Sequence, residues 1–318
     1  MFVLCCDIKI GDKRFSAVND VSVRRSVYQL GATAIIKLPV TSILRQTDGK
    51  AVTRVETAQA VAVGDPVEIR LGYNGRLFTE FRGYVKALNL ATPLEIVCED
   101  ELWQCRRRNI TNSGTVTLAD LLQRCGLTVG YAETLTLRNY AVPDKPVSSV
   151  LADLTKRYGL SVFFDLNGRV YACRPEKVTG DVVKYELRRN VINDDDLQYL
   201  DRSSMKVQIK AVCFKKDGTQ IEAKKGPDGG TGRTLYFYDV EDIEELAVLA
   251  QNELERETAD GYDGCITTFL EPYAAPAMVA EIIDPVYAVR SGRYYITSVE
   301  TTFGNGGGRR KVEIGTAI

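Results

Sequence analysis

Alternating apolar and polar residues dominate both ends of the chain, whereas helical spacing is confined to its middle and to one later segment. Period-two alternation marks a strand with one buried face. It predicts strands over residues 2–10, 21–27, 32–38 and 94–98, and over a run in which Val67, Ile69, Leu71 and Tyr73 share a face. Asn74-Gly75 follows that run and is a strong hairpin signal. A plain two-residue loop would set Ile69 opposite Glu80, yet the apolar face of the returning strand is Leu77, Phe81 and Val85. An odd-length loop or a bulge at the turn is therefore expected, bringing Ile69 opposite Phe81. About six short strands suit a small barrel or sandwich. Residues 40–64 are weakly patterned and polar at Thr47-Asp48-Gly49-Lys50. A connection of that length is commonly functional or mobile.

The middle changes period. Thr117 can cap a helix carrying Leu118, Leu121, Leu122 and Cys125 on one face, with Gly126 as its stop. Pro146 opens a second helix with Val150, Leu151, Leu154 and Tyr158 on one face, ended by Gly159. The two are copies: residues 118–129 and 151–162 agree at eight of twelve positions, 33 residues apart. Each copy is a helix, a Gly stop and a strand beginning Leu-x-Val. Two copies are too few for a solenoid. They predict a small α+β unit that ends in a hairpin turning at Asn167-Gly168.

Beyond residue 181 strands return, at 182–187, 205–214, 220–223, 234–238, 264–270, 278–283, 294–303 and 311–314. One amphipathic helix, residues 240–259, interrupts them. Its apolar stripe is Ile243, Leu246, Ala247, Ala250 and Leu254, and its other face carries Glu241, Asp242, Glu244, Glu245, Glu253, Glu255 and Glu257.

Composition narrows the chemistry. The 318 residues include 41 Lys+Arg and 42 Asp+Glu, so a globally basic nucleic-acid binder is disfavoured. The absence of histidine removes Ser-His-Asp and Cys-His nucleophiles and His-ligated metals. The eight cysteines form no CxxC pair, and most adjoin apolar residues, as free buried thiols in a reducing compartment would. The first residues lack a basic n-region and do not read as a signal peptide. No apolar run is long enough for a membrane helix.

The remaining constellations each have a plain reading. The Gly226–Gly232 segment resembles a phosphate loop only in composition; it feeds a strand, not a helix N-terminus, and reads as a hairpin loop, as does the glycine run at 304–308. Asn193 and Asp194, Asp195 and Asp196 lack the alternate spacing and central Gly of a calcium loop, and read as a solvated turn. Asp100 and Glu101, with Asp194–Asp196, are the pool for a two-carboxylate enzyme acting on carbohydrate. Arg106, Arg107 and Arg108 beside Trp103 are the pool for single-stranded nucleic acid, or for contact with an acidic surface. The acidic helix face is a solvated face or a docking surface for a basic patch.

Four segments together resemble the baseplate hub proteins of contractile phage tails, the late control protein D-like group. They are residues 21–39; residues 64–75 with 81–85, reading GD-x-V, an alternating strand, GY, a turn and F-x-G-x-V; residues 94–103; and residues 292–303 with 308–314. They occur in the family's order over most of the chain. The resemblance implies a non-enzymatic structural protein without cofactor or metal. It implies a homotrimer that adapts a six-fold tail tube protein to a three-fold spike protein, made in a bacterial cytoplasm and residing in the baseplate of a virion or injection particle. The expected fold is mainly β (α+β overall). A first tube-like barrel spans residues 1–100, an α+β insert residues 101–180, and a second barrel with the 240–259 helix residues 181–318. Glu241, Glu244, Glu245, Arg106, Arg107 and Arg108 are the expected partner contacts, with loop 40–64 beside them.

Overall fold

A computed structural model describes residues 3–45, 52–137, 139–174, 176–194, 196–200, 206–215, 219–238, 240, 242–258 and 261–318. The chain is mainly β, with an α+β unit between two strand-rich parts, as the pattern predicts. In the first part, Ile8, Ile10, Ile36, Ile69, Leu71, Phe81 and Ile96 alternate inward along their strands into one core. Asn74 and Gly75, both at positive φ (53° and 83°), make a regular two-residue turn with Tyr73 facing Arg76. Ile69 does face Phe81, as the apolar pattern requires. The irregularity that achieves this is not at the turn. It is a bulge farther along, between Thr79 and Phe81, where Glu80 is the extra residue.

Residues 40–64 are not a plain loop. Thr41–Arg45 and Val52–Glu56 pair as an antiparallel hairpin that joins no other sheet among the described residues. Its base is fixed by Thr57, whose hydroxyl donates to the Pro39 carbonyl (2.6 Å) and lies 2.7 Å from Ser42 Oγ, while its N–H donates to the Val40 carbonyl.

The insert forms as its repeat predicts. Thr117 Oγ1 accepts from the Asp120 N–H at 3.1 Å, capping helix Leu118–Arg124. Helix Val147–Tyr158 ends at Gly159 in the left-handed conformation. The two repeat strands, Thr128–Ala132 and Ser161–Phe164, lie on opposite sides of Arg169–Cys173, one parallel and one antiparallel to it. The two copies therefore run in opposite directions about a shared central strand. Their apolar faces build a separate core with Leu118, Leu121, Leu151 and Leu154 at its centre.

In the last part, Val207–Phe214, Gln220–Lys225 and Thr231–Tyr238 form their own three-stranded sheet, covered by helix Ile243–Thr258. Residues 226–230 are not a hairpin loop: the strands they connect lie on opposite edges of Val207–Phe214, so the chain crosses the end of that strand. The close approach needs Gly226, where a Cβ would sit 2.1 Å from the Val207 carbonyl oxygen. Leu246 and Ala250 of the helix are buried, but Ile243, on the same stripe as Ala250, is 53% exposed, being the first residue of the helix. The short strands Val191–Asn193 and Leu197–Leu200 carry too few residues for alternation to mark them.

Strand Gly292–Gly304 joins the two flanking parts. One edge pairs with Gly307–Ala317. Its other edge is divided: Gly292–Tyr295 pairs with Val279–Ile283, and Ser298–Gly304 pairs with Asp20–Ser26. The flanking parts thus share a single 14-stranded sheet, and its pairings among the described residues do not close it into a barrel.

Candidate functional site

The strongest polar feature lies on the seam between the flanking parts. Arg310 has no exposed side-chain area and Glu80 only 2%, and they pair at 2.5 Å. Thr301 donates its hydroxyl to the other Glu80 oxygen at 3.1 Å. The Arg310 guanidinium also donates to the carbonyls of Leu270 and Pro272 and lies 5.0 Å from the centroid of the Tyr273 ring. Tyr273 stacks on Phe78 and accepts from Arg25. Burial pushes the Glu80 carboxyl above its ordinary range, while Arg310 and Thr301 pull it down. Pattern reading missed both partners, although each left a signal. Glu80 is the residue that the Ile69–Phe81 register displaces, and Arg310 falls on the inward face two residues before Val312 and four before Ile314. The group ties strands together; its geometry leaves no open face for a substrate.

The carboxylates proposed for catalysis are held within the fold. Glu99, their neighbour in sequence, accepts two bonds from Arg106 and one from Lys86. Both Asp100 oxygens accept backbone N–H groups, from Ala32 at 2.7 Å and Leu102 at 3.0 Å, and burial pushes its carboxyl up to about 7. Glu101 meets Arg108 at 3.3 Å. Asp196 pairs with Lys311, Asp195 lies outside the described residues, and no described hydrogen bond or ion pair links Asp194 or Asp196 to Asp100 or Glu101. Among the described residues no group of three or more acidic or cysteine side chains is placed to hold a metal ion.

Arg106, Arg107 and Arg108 are engaged within the chain. Arg106 forks onto Glu99, Arg107 lies 3.5 Å from the Trp103 ring centroid, and Arg108 donates to the Gly126 carbonyl. Trp103 itself is buried and stacked on Tyr84, so its ring faces are covered. The Arg106–Glu99 fork and the Trp103–Tyr84 stack fasten the insert to the first part, while the Arg107 and Arg108 contacts lie within the insert. Glu244 and Glu245 are exposed, and Glu241 lies outside the described residues. All eight cysteines are free; five are buried.

The described architecture is a sheet shared by two strand-rich parts, with an α+β unit set between them and the Glu99, Asp100 and Arg310 side chains bonded within the fold. The chain matches no protein-family model, and no curated protein matches it in sequence. Solved structures give the fold its company. The chain resembles the 43 kDa tail protein of prophage MuSo2 from Shewanella oneidensis, at 16% identity and a TM-score of 0.58 over 98% of this chain and 97% of that one. It resembles a tail protein from Neisseria meningitidis MC58 at 10% identity and 0.62, over 98% and 96%. It also resembles the E. coli c3393 protein, a type VI secretion component described as similar to bacteriophage T4 tail proteins, at 11% identity and 0.57, over 98% and 76%. The chain thus shares its fold with these proteins along nearly its whole length.

Proposed function

We propose that this chain is a structural hub of a phage or prophage tail baseplate, or of a related contractile injection system. It assembles as a homotrimer, seats a six-fold tube on a three-fold spike, and carries out no catalysis. It is made in a bacterial cytoplasm and ends in the particle. The observation that carries this reading is the agreement of fold over 98% of the chain with two tail proteins. The commitment of Glu99, Asp100 and Arg106–Arg108 to internal bonds supports it against the enzyme and nucleic-acid readings. We divide the chain functionally at about residues 100 and 180, with the insert and the exposed Glu244 and Glu245 turned to partners.

Light scattering after size exclusion tests the reading. The expected species is three times 35.3 kDa, about 106 kDa. A chain that remains monomeric at every concentration, alone and mixed with the tube and spike proteins from the same gene cluster, overturns it.

A further inference from the structure

Two exposed elements of this chain are complementary. Ile43, on the hairpin, is 70% exposed, and its directly paired neighbour across the ladder is the exposed Arg54. Cross-strand partners share a face, so the hairpin presents an apolar side chain beside a cation. A two-stranded ribbon is marginal alone in water. Among the described residues this one is anchored at its base, through Thr57 and Pro39, and neither of its strands enters a described core cluster. With five residues per strand it reaches about 17 Å.

The second element is the outer face of helix Ile243–Thr258. Its inner face packs on the three-stranded sheet through Leu246 and Ala250. Outward, Glu244, Val248, Asn252 and Glu255 are exposed at helical spacing, with Val248 59% exposed. An apolar residue flanked by carboxylates is the counterpart of an apolar residue flanked by a cation.

We infer that the hairpin of one copy seats on the outer face of this helix in the next copy, Ile43 against Val248 and Arg54 against Glu244. Each chain offers one of each surface, so the contact is heterologous, and repeated head to tail with a three-fold rotation it closes the ring of the proposed trimer. A second copy is the occupant because both halves of the match lie on one chain, the helix seated on its own small core and the hairpin outside every described core cluster. The inference rests on the self-association proposed above and adds its contact.

Arg54→Glu and Glu244→Arg test it, both at exposed positions, with circular dichroism to check the fold. Each alone should raise the concentration for half-assembly by about fivefold to tenfold, and the double variant should return it to near the wild-type value. In parallel, Ile43→Cys chains mixed with Val248→Cys chains and oxidised should give an interchain disulfide that wild-type chains do not give. Single variants that assemble as the wild type does, or mixed cysteine variants that assemble without cross-linking, overturn this contact and leave self-association standing. A wild-type chain that never associates, even with its tube and spike, overturns both.

Discussion

Replacing Arg310 with Met removes one partner of a fully buried ion pair and leaves the other in place. Glu80 would then remain 2% exposed inside the sheet, bonded only to Thr301, and the carbonyls of Leu270 and Pro272 would lose their donor. Breaking a buried pair from one side costs about 3–5 kcal/mol, since the residual charge keeps its desolvation penalty. No discount for solvent screening applies where neither partner is exposed. Urea unfolding of Arg310→Met should therefore lose about 3–5 kcal/mol relative to wild type. Two probes should move together. Far-UV circular dichroism follows the sheet, and emission from Trp103, the single tryptophan, follows the joint between the first part and the insert. They should stay coincident because strand Gly292–Gly304 holds both flanking parts. Adding Glu80→Gln removes the stranded charge and should recover more than half of the loss. A single variant within about 0.5 kcal/mol of wild type would refute the reasoning, as would a double variant no more stable than the single one.

Two further outcomes follow from other polar groups. Burial raises the Asp100 carboxyl from its ordinary 3.8 to about 7, so the folded chain binds this proton more tightly than the unfolded chain does. Its contribution is fully present below pH 4 and is lost as pH rises through 7, a decline on the order of 4 kcal/mol; Asp100→Asn should flatten stability over that window, and an unchanged slope would count against it. Thr57→Val removes the hydroxyl that bonds Pro39 and meets Ser42. It should destabilise the hairpin by about 1–2 kcal/mol, read as faster amide exchange confined to Thr41–Arg45 and Val52–Glu56.

Much of this fold was legible because one face of most strands meets a core. The apolar face of the returning strand is enough to pair Ile69 with Phe81, though not to place the bulge at Glu80, and the repeated Leu-Ala-Asp-Leu stretches mark the insert's two helices. The hairpin of Thr41–Arg45 and Val52–Glu56 was not legible, because a two-stranded ribbon that joins no other described sheet needs no alternation. The crossing at residues 226–230 was misread as a hairpin loop, since composition marks a turn but not which strands it joins. The divided edge of Gly292–Gly304 leaves no local trace, because its partners are set by pairing across most of the chain. Arg106–Arg108 were visible as a basic cluster, but Glu99 and Gly126, which engage two of them, become neighbours only on folding.

The pairing of Asp20–Ser26 with Ser298–Gly304 also has a consequence for biosynthesis. The two segments lie about 270 residues apart in the chain. At roughly 5–20 residues per second, a ribosome that has finished residue 100 needs about 10–40 s more to deliver residue 300. For that interval the nascent amino-terminal sheet has one flank open. Asp20, Arg24 and Arg25 stand on that flank, and such charges deter edge-to-edge pairing with another nascent chain. The residues that later receive the last strands thus also guard their place while the polypeptide is still being made.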